Sequence, residues 1–219
     1  LCLTTNGILL GDYIDDLLRF GVRKLNISLD TVSRERYRAI TMRDGLEDVL
    51  AGIEGALARD FFDVKVNAVL FRETLAELDD YLDYFRDRDV TVRFIEKMPF
   101  VDEEAGGMFL SSDVLVGELR ARGEMKRNTE IDTNVALMYD YLYRGRYPMK
   151  IGVIPPVTNK FCSSCNRLRI TSDGYLKTCL HSSADHDLKS LLREGADDER
   201  IRAEILRAVS EKGEGHSLD

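Results

Sequence analysis

The chain has 219 residues, 44% hydrophobic and 32% charged, with a formal net charge of −8. That length supports a proper core in one or two domains, and the acidic balance excludes broad binding to nucleic acid or an anionic membrane, which needs a basic face. No apolar run approaches the roughly 20 residues of a membrane-spanning helix and no charged-then-apolar leader opens the sequence, so a cytoplasmic protein is expected.

The predicted elements alternate. "LCLTT" (1–5) reads as a strand, and "GDYIDDLLRFG" (11–21) as a helix with Tyr13, Ile14, Leu17 and Leu18 on one face and Gly21 as its stop. "RKLNISLD" (23–30) is a second strand. A helix follows over 45–58, where Leu46, Val49, Leu50, Ile53 and Leu57 recur at helical spacing. "DVKVNAVLF" (63–71) is a third strand, a helix through Leu75, Leu78, Leu82 and Phe85 comes next, and "VTVRFIEKM" (90–98) is a fourth strand. Repeated strand–helix units of this length predict a parallel sheet, open or closed into a barrel. Beyond it the spacing gives a loop over 99–109, a helix over 111–123 capped by Ser111 or Ser112, and a weakly patterned stretch, 123–148. A strand over 150–157 is stopped by Pro155 and Pro156, and a hairpin over 166–180 turns at Asp173-Gly174. Two amphipathic helices, 187–195 and 197–213, follow. The expected domains are 1–110, a strand–helix layer, and 111–219, a smaller extension.

Strands buried on both faces normally read as continuous apolar runs. Here Asn26, Ser28 and Asp30 alternate with Leu25, Ile27 and Leu29, and Lys65 and Asn67 with Val64, Val66 and Ala68. One face is therefore apolar, for helices, and the other polar. The polar face reads either as a ligand cavity with chemistry at the C-terminal strand ends or as a solvated sheet edge.

The four cysteines are Cys2, Cys162, Cys165 and Cys179. Cys2, in an apolar run, is expected to be a small buried hydrophobe. The other three fall in "FCSSCNRLRITSDGYLKTC" (161–179), where the hairpin turn folds Cys179 back toward the C-x2-C pair. In an intracellular protein such clustering favours metal over disulfides. Zinc with His181 as fourth ligand and an iron–sulfur cluster on three thiolates both fit the spacing. From Lys160 to His181 four basic side chains (Lys160, Arg167, Arg169 and Lys177) stand against one acid, Asp173. Arg167 and Arg169, two apart on an expected strand, share a face and make a planar fork for phosphate or carboxylate, or else a solvated face. His186 and His216 lie in polar stretches, expected to be exposed, without ligand spacing.

"TTNG" (4–7), "NISLD" (26–30), "VKVNAVL" (64–70), "VRFIEKMP" (92–99) and "FCSSCNRLRITSDGYLKTCL" (161–180), in this order, resemble the molybdenum cofactor biosynthesis protein A family of radical S-adenosylmethionine enzymes, which cyclise GTP. The resemblance implies an α/β fold: an incomplete radical SAM (β/α) barrel, here its last four strands of six, plus a small C-terminal hairpin and helix extension. It implies a 4Fe-4S cluster on Cys162, Cys165 and Cys179 with one iron open to GTP. It implies GTP contacts at Thr4, Lys65, Arg167 and Arg169, and S-adenosylmethionine contacts at Ser28 and Met98. It further implies a homodimer, with no nucleic-acid or membrane partner.

The sequence departs from the family pattern in lacking the C-x3-C-x2-C motif for the radical-generating 4Fe-4S cluster, the glycine-rich turn after the family's second strand, a Gly-Pro-Ala stretch within 123–148 and the terminal double glycine. A fragment starting at the third strand of six, inactive by itself, is therefore expected. Two other readings remain: another radical S-adenosylmethionine enzyme with an auxiliary cluster, and a zinc-stabilised binding module without catalysis.

Overall fold

The computed structural model describes residues 1–98, 109–131, 133, 135–182 and 186–213. The loop expected over 99–109 falls almost wholly outside the described residues, and so does His216. The chain divides into two compact units, Leu1–Asn159 and Lys160–Asp219.

The first unit runs β1 (Cys2–Thr5), α1 (Leu10–Arg19), β2 (Lys24–Ser28), α2 (Arg34–Thr41), α3 (Leu46–Leu57), β3 (Asp63–Leu70), α4 (Arg72–Ala76), α5 (Leu78–Phe85), β4 (Thr91–Glu96), α6 (Ser112–Arg122), β5 (Gly123–Arg127), β6 (Leu137–Tyr143) and β7 (Tyr147–Ile154). All seven strands form one sheet in the order β1-β2-β3-β4-β7-β6-β5. The pairs from β1 to β4 and the β4–β7 pair are parallel, and β6 and β5 continue antiparallel. The sheet is thus α/β and rich in parallel pairs, with edges at β1 and β5.

Its apolar face carries the core. Leu25, Ile27, Val64, Val66, Ala68, Val92, Phe94, Ile151 and Val153 are buried, together with Ile14, Val49, Ile53, Leu78, Leu82 and Phe85 from the helices. On α1 the buried residues are Leu10 and Ile14. Tyr13, expected on the inward face, is 55% exposed and lines an open groove with Leu3, Leu9, Leu17 and Phe20.

Four stretches differ from expectation. Helix α2 follows a Ser33 N-cap, but its charged sequence buries only Tyr37, too little for a periodic signal. The helix expected through Leu75 and Phe85 is broken into α4 and α5 around Glu77, whose carboxylate accepts the Thr31 hydroxyl at 2.6 Å and pairs with Arg36. The stretch 123–148 holds β5 and β6, so the compact units part at Asn159 rather than near 110. Edge strand β5, "GEMKR", is mostly polar, and Asp140 sits between tyrosines in β6, which erases period-two alternation. The strand expected over 150–157 begins earlier, at Tyr147, and ends at Ile154, before the two prolines.

The second unit holds β8 (Arg169–Ile170), β9 (Tyr175–Lys177), β10 (His186–Asp187), α7 (Leu188–Arg193) and α8 (Asp198–Ser210), with β9 central to a three-stranded antiparallel sheet. The expected hairpin is present but short. Gly174 closes it with φ +91°, a backbone few other residues adopt, and its N–H donates to the Thr171 carbonyl at 3.0 Å. Leu176, Leu188 and Ala208 form a small core.

Candidate functional site

Two groups of polar side chains stand out, one in each unit. In the first, strand register lines up Thr4, Asn26, Lys65 and Thr91 as successive neighbours across β1–β4, and the next row on the same face holds Ser28, Asn67 and Arg93. Parallel pairing with period-two alternation produces such rows whenever neighbouring strands alternate in phase. The rows are joined by hydrogen bonds. Arg93 Nε donates to Asn67 Oδ1 at 2.9 Å, Arg93 Nη2 donates to Asn26 Oδ1, and Asn26 Nδ2 faces Thr4 Oγ1 at 3.4 Å. Gly152 makes room for the Arg93 stem, since a Cβ there would stand 2.7 Å from Arg93 Cγ. Lys65 pairs with Asp63 on its own strand. Ser28 ends β2, and Met98 lies two residues beyond the end of β4.

Cys2 is not buried. It is exposed on edge strand β1, and its sulfur accepts from Asn26 Nδ2 at 3.0 Å. The apolar run that predicted burial belongs to a strand with a neighbour on one side only.

The C-terminal strand ends are fixed by Glu96, whose side chain sequence reasoning passed over. It is 1% exposed. One carboxylate oxygen accepts the Ser112 N–H at 2.8 Å and the Thr158 hydroxyl, and the other accepts the Val157 and Thr158 N–H groups, both at 3.0 Å. Burial pushes this carboxyl up, but the bonds from Thr158 and Ser112 outweigh it and hold it below its ordinary value.

In the second unit, Cys162–Ser164 forms a single 3-10 turn closed by the Cys165 N–H donating to the Cys162 carbonyl at 3.1 Å. All three clustered thiols are half-buried. Burial raises the Cys165 thiol, yet the Arg167 backbone N–H, the Lys212 ammonium and the Arg167 guanidinium together lower it, favouring the thiolate. Lys212 Nζ donates to the Cys165 carbonyl at 2.7 Å and lies 3.6 Å from its Sγ. Cys179 is held by Ser182, which accepts its N–H at 3.2 Å and donates to its carbonyl at 3.0 Å.

Among the described residues no three His, Cys, Asp or Glu side chains stand close enough to hold a metal ion. Cys162 and Cys165 share one turn, but the three thiols are not gathered at one ligating point, and neither is His181 gathered with them. Arg167 precedes β8 and Arg169 opens it, and both residues are exposed. Arg169 sits directly opposite Lys177 in the hairpin register. Like charges so placed repel, and a bound anion would relieve the repulsion. His186 corrects the expectation of exposure: it is buried in β10, with Nδ1 2.8 Å from Glu204.

Residues 90–218, more than half of the chain, match the Molybdenum Cofactor Synthesis C family. The chain belongs to this family. Residues 1–85 match the Radical SAM superfamily. The family member named GTP 3',8-cyclase in Rhodococcus opacus is 38% identical over all of this chain and 62% of its own length. Its namesake in Moorella thermoacetica is 37% identical over 99% of this chain and 67% of its own. Molybdenum cofactor biosynthesis protein 1 of Dictyostelium discoideum is 36% identical over 98% of this chain. The chain thus spans 62% of the Rhodococcus relative and 35% of the Dictyostelium one.

Proposed function

We propose that the protein is part of a radical S-adenosylmethionine GTP 3',8-cyclase of molybdenum cofactor biosynthesis, a lyase, in which residues 160–180 bind GTP through a three-thiolate 4Fe-4S cluster. The observation that carries this reading is the geometry of the thiol segment: Cys162 and Cys165 stand at the two ends of one 3-10 turn, both half-buried, with the Lys212 ammonium 3.6 Å from Cys165 Sγ. The donor chemistry of Cys162, Cys165 and Cys179 fits such a cluster, because thiolates are its usual ligands and three leave one iron open. When bound, the cluster supplies a Lewis-acidic iron for the guanine base.

The remaining work belongs to side chains. Arg167 and Arg169 bind triphosphate oxygens through charge-assisted hydrogen bonds, and Lys177 adds to the same positive field. Thr4 and Lys65 are assigned as further GTP contacts, Ser28 and Met98 as S-adenosylmethionine contacts. Lys65 is held by Asp63 and oriented along the polar face, so positioning rather than proton transfer is its role.

A second, radical-generating cluster does not fit these 219 residues. Cys2 is the sole cysteine outside the 160–180 segment, and it bonds to Asn26 on an edge strand. The 219-residue chain alone is therefore expected to form no deoxyadenosine.

The test is metal and sulfide analysis after anaerobic reconstitution, followed by GTP binding. About four iron and four sulfide per chain, with GTP binding weakened in Arg167→Ala, support the reading. Stoichiometric zinc with little sulfide overturns it and returns the thiols to a structural role.

A further inference from the structure

The ammonium of Lys212 lies beyond the end of α8, yet it makes three polar contacts with the thiol segment. It donates to the Cys165 carbonyl at 2.7 Å and to the Arg167 carbonyl at 3.2 Å, and it stands 3.6 Å from Cys165 Sγ. The three acceptors lie 45 and 47 residues away in sequence, so α8 brings this group to a segment that has little regular structure of its own. Between Cys165 and Arg169 the backbone forms neither helix nor strand. Without Lys212, the two carbonyls that fix the path from the second thiol to the first arginine would lose this shared donor.

We propose that Lys212 is a positioning residue for the cluster and for GTP. Through the two carbonyls it sets the course of Cys165–Arg167, and hence where the Arg167 guanidinium points. Through its N–H···S contact it places a positive donor on a ligating sulfur. Hydrogen bonds to ligand sulfurs are among the levers that set the potential of an iron–sulfur cluster. A donor stabilises the more electron-rich reduced state, so its removal moves the potential to more negative values. This role rests on the cluster reading above and extends it to a residue outside the cysteine–arginine motif.

The experiment compares the reconstituted wild-type chain with Lys212→Met and Lys212→Arg. Iron content, the cluster midpoint potential and GTP affinity are measured for each. Lys212→Met is expected to bind iron, to show a more negative potential and to lose GTP affinity by roughly ten-fold, the usual scale for supporting residues around a metal site. Lys212→Arg, which keeps charged N–H donors, is expected to restore both. A Lys212→Met chain with normal iron, unchanged potential and unchanged GTP affinity overturns the proposal while leaving the cluster reading intact. A melting-temperature change without a shift in potential also overturns it, since that marks a purely structural lysine. If the wild-type chain itself takes up no iron, the cluster reading fails and the role of Lys212 fails with it.

Discussion

Replacing Glu96 by alanine tests the account of how the strand ends are held. The carboxylate gathers three backbone N–H groups, from Ser112, Val157 and Thr158, and one hydroxyl. Those donors belong to the start of α6 and to the turn after β7. Alanine leaves all three N–H groups without this acceptor at a site where the native side chain is 1% exposed. At about 1 kcal/mol for each orphaned buried donor, the low end of the usual range, the loss is about 3 kcal/mol. Glutamine keeps one acceptor oxygen and so serves one pair of donors but not the other; about half that loss is expected. The chain has no tryptophan, so urea unfolding should be followed by far-UV circular dichroism. The pH dependence gives an independent check. A carboxyl whose folded value lies below the ordinary 4.5 contributes stability above that value and loses it as pH falls through the lower folded one. Glu96→Gln should flatten that acid limb. Glu96→Ala within the error of wild type, or Glu96→Gln as damaging as alanine, would refute the reasoning.

Further outcomes follow from other contacts. Gly152→Ala should destabilise by about 1–3 kcal/mol through overpacking, because its Cβ would meet Arg93 Cγ at 2.7 Å and Met138 Sδ at 3.0 Å; urea unfolding reads this. Asp197 caps α8 by accepting the Arg200 N–H at 2.8 Å, so Asp197→Ala should cost about 1 kcal/mol in thermal unfolding. Tyr81→Phe strips a 2.7 Å hydrogen bond from the buried Leu29 carbonyl and should cost about 1 kcal/mol, visible as a lower urea midpoint.

Much of the first unit was legible because its strands alternate cleanly. The phase of Asn26, Lys65 and Asn67 against Leu25, Val64 and Val66 located β2 and β3 and foretold the polar rows that register then assembles. What failed to show had few apolar residues to reveal it, as in α2, or was an edge with polar residues on both faces, as in β5. Arg93, a cation between the buried Val92 and Phe94, continues the same alternation into β4, but its bonds to Asn67 and Asn26 emerge only from the strand register. Lys212 left none, since its contacts close a loop of more than forty residues. The pairing of Cys162 and Cys165 was legible in spacing, while their 3-10 turn and the place of Arg167 outside β8 were not, because such short elements carry no periodic pattern.

The sheet order also dictates how the chain can be made. β4 finds its partner on one side in β3, which precedes it, but on the other side in β7. As the polypeptide leaves the ribosome, β4 therefore remains a bare, largely apolar edge until the chain through Ile154 has emerged, and such edges recruit strands from other molecules. The β5–β6–β7 meander, joined by short local connections, can close on itself quickly and dock as one piece. Nascent chains halted before Tyr147 should be the aggregation-prone ones, and chains released after Ile154 should not.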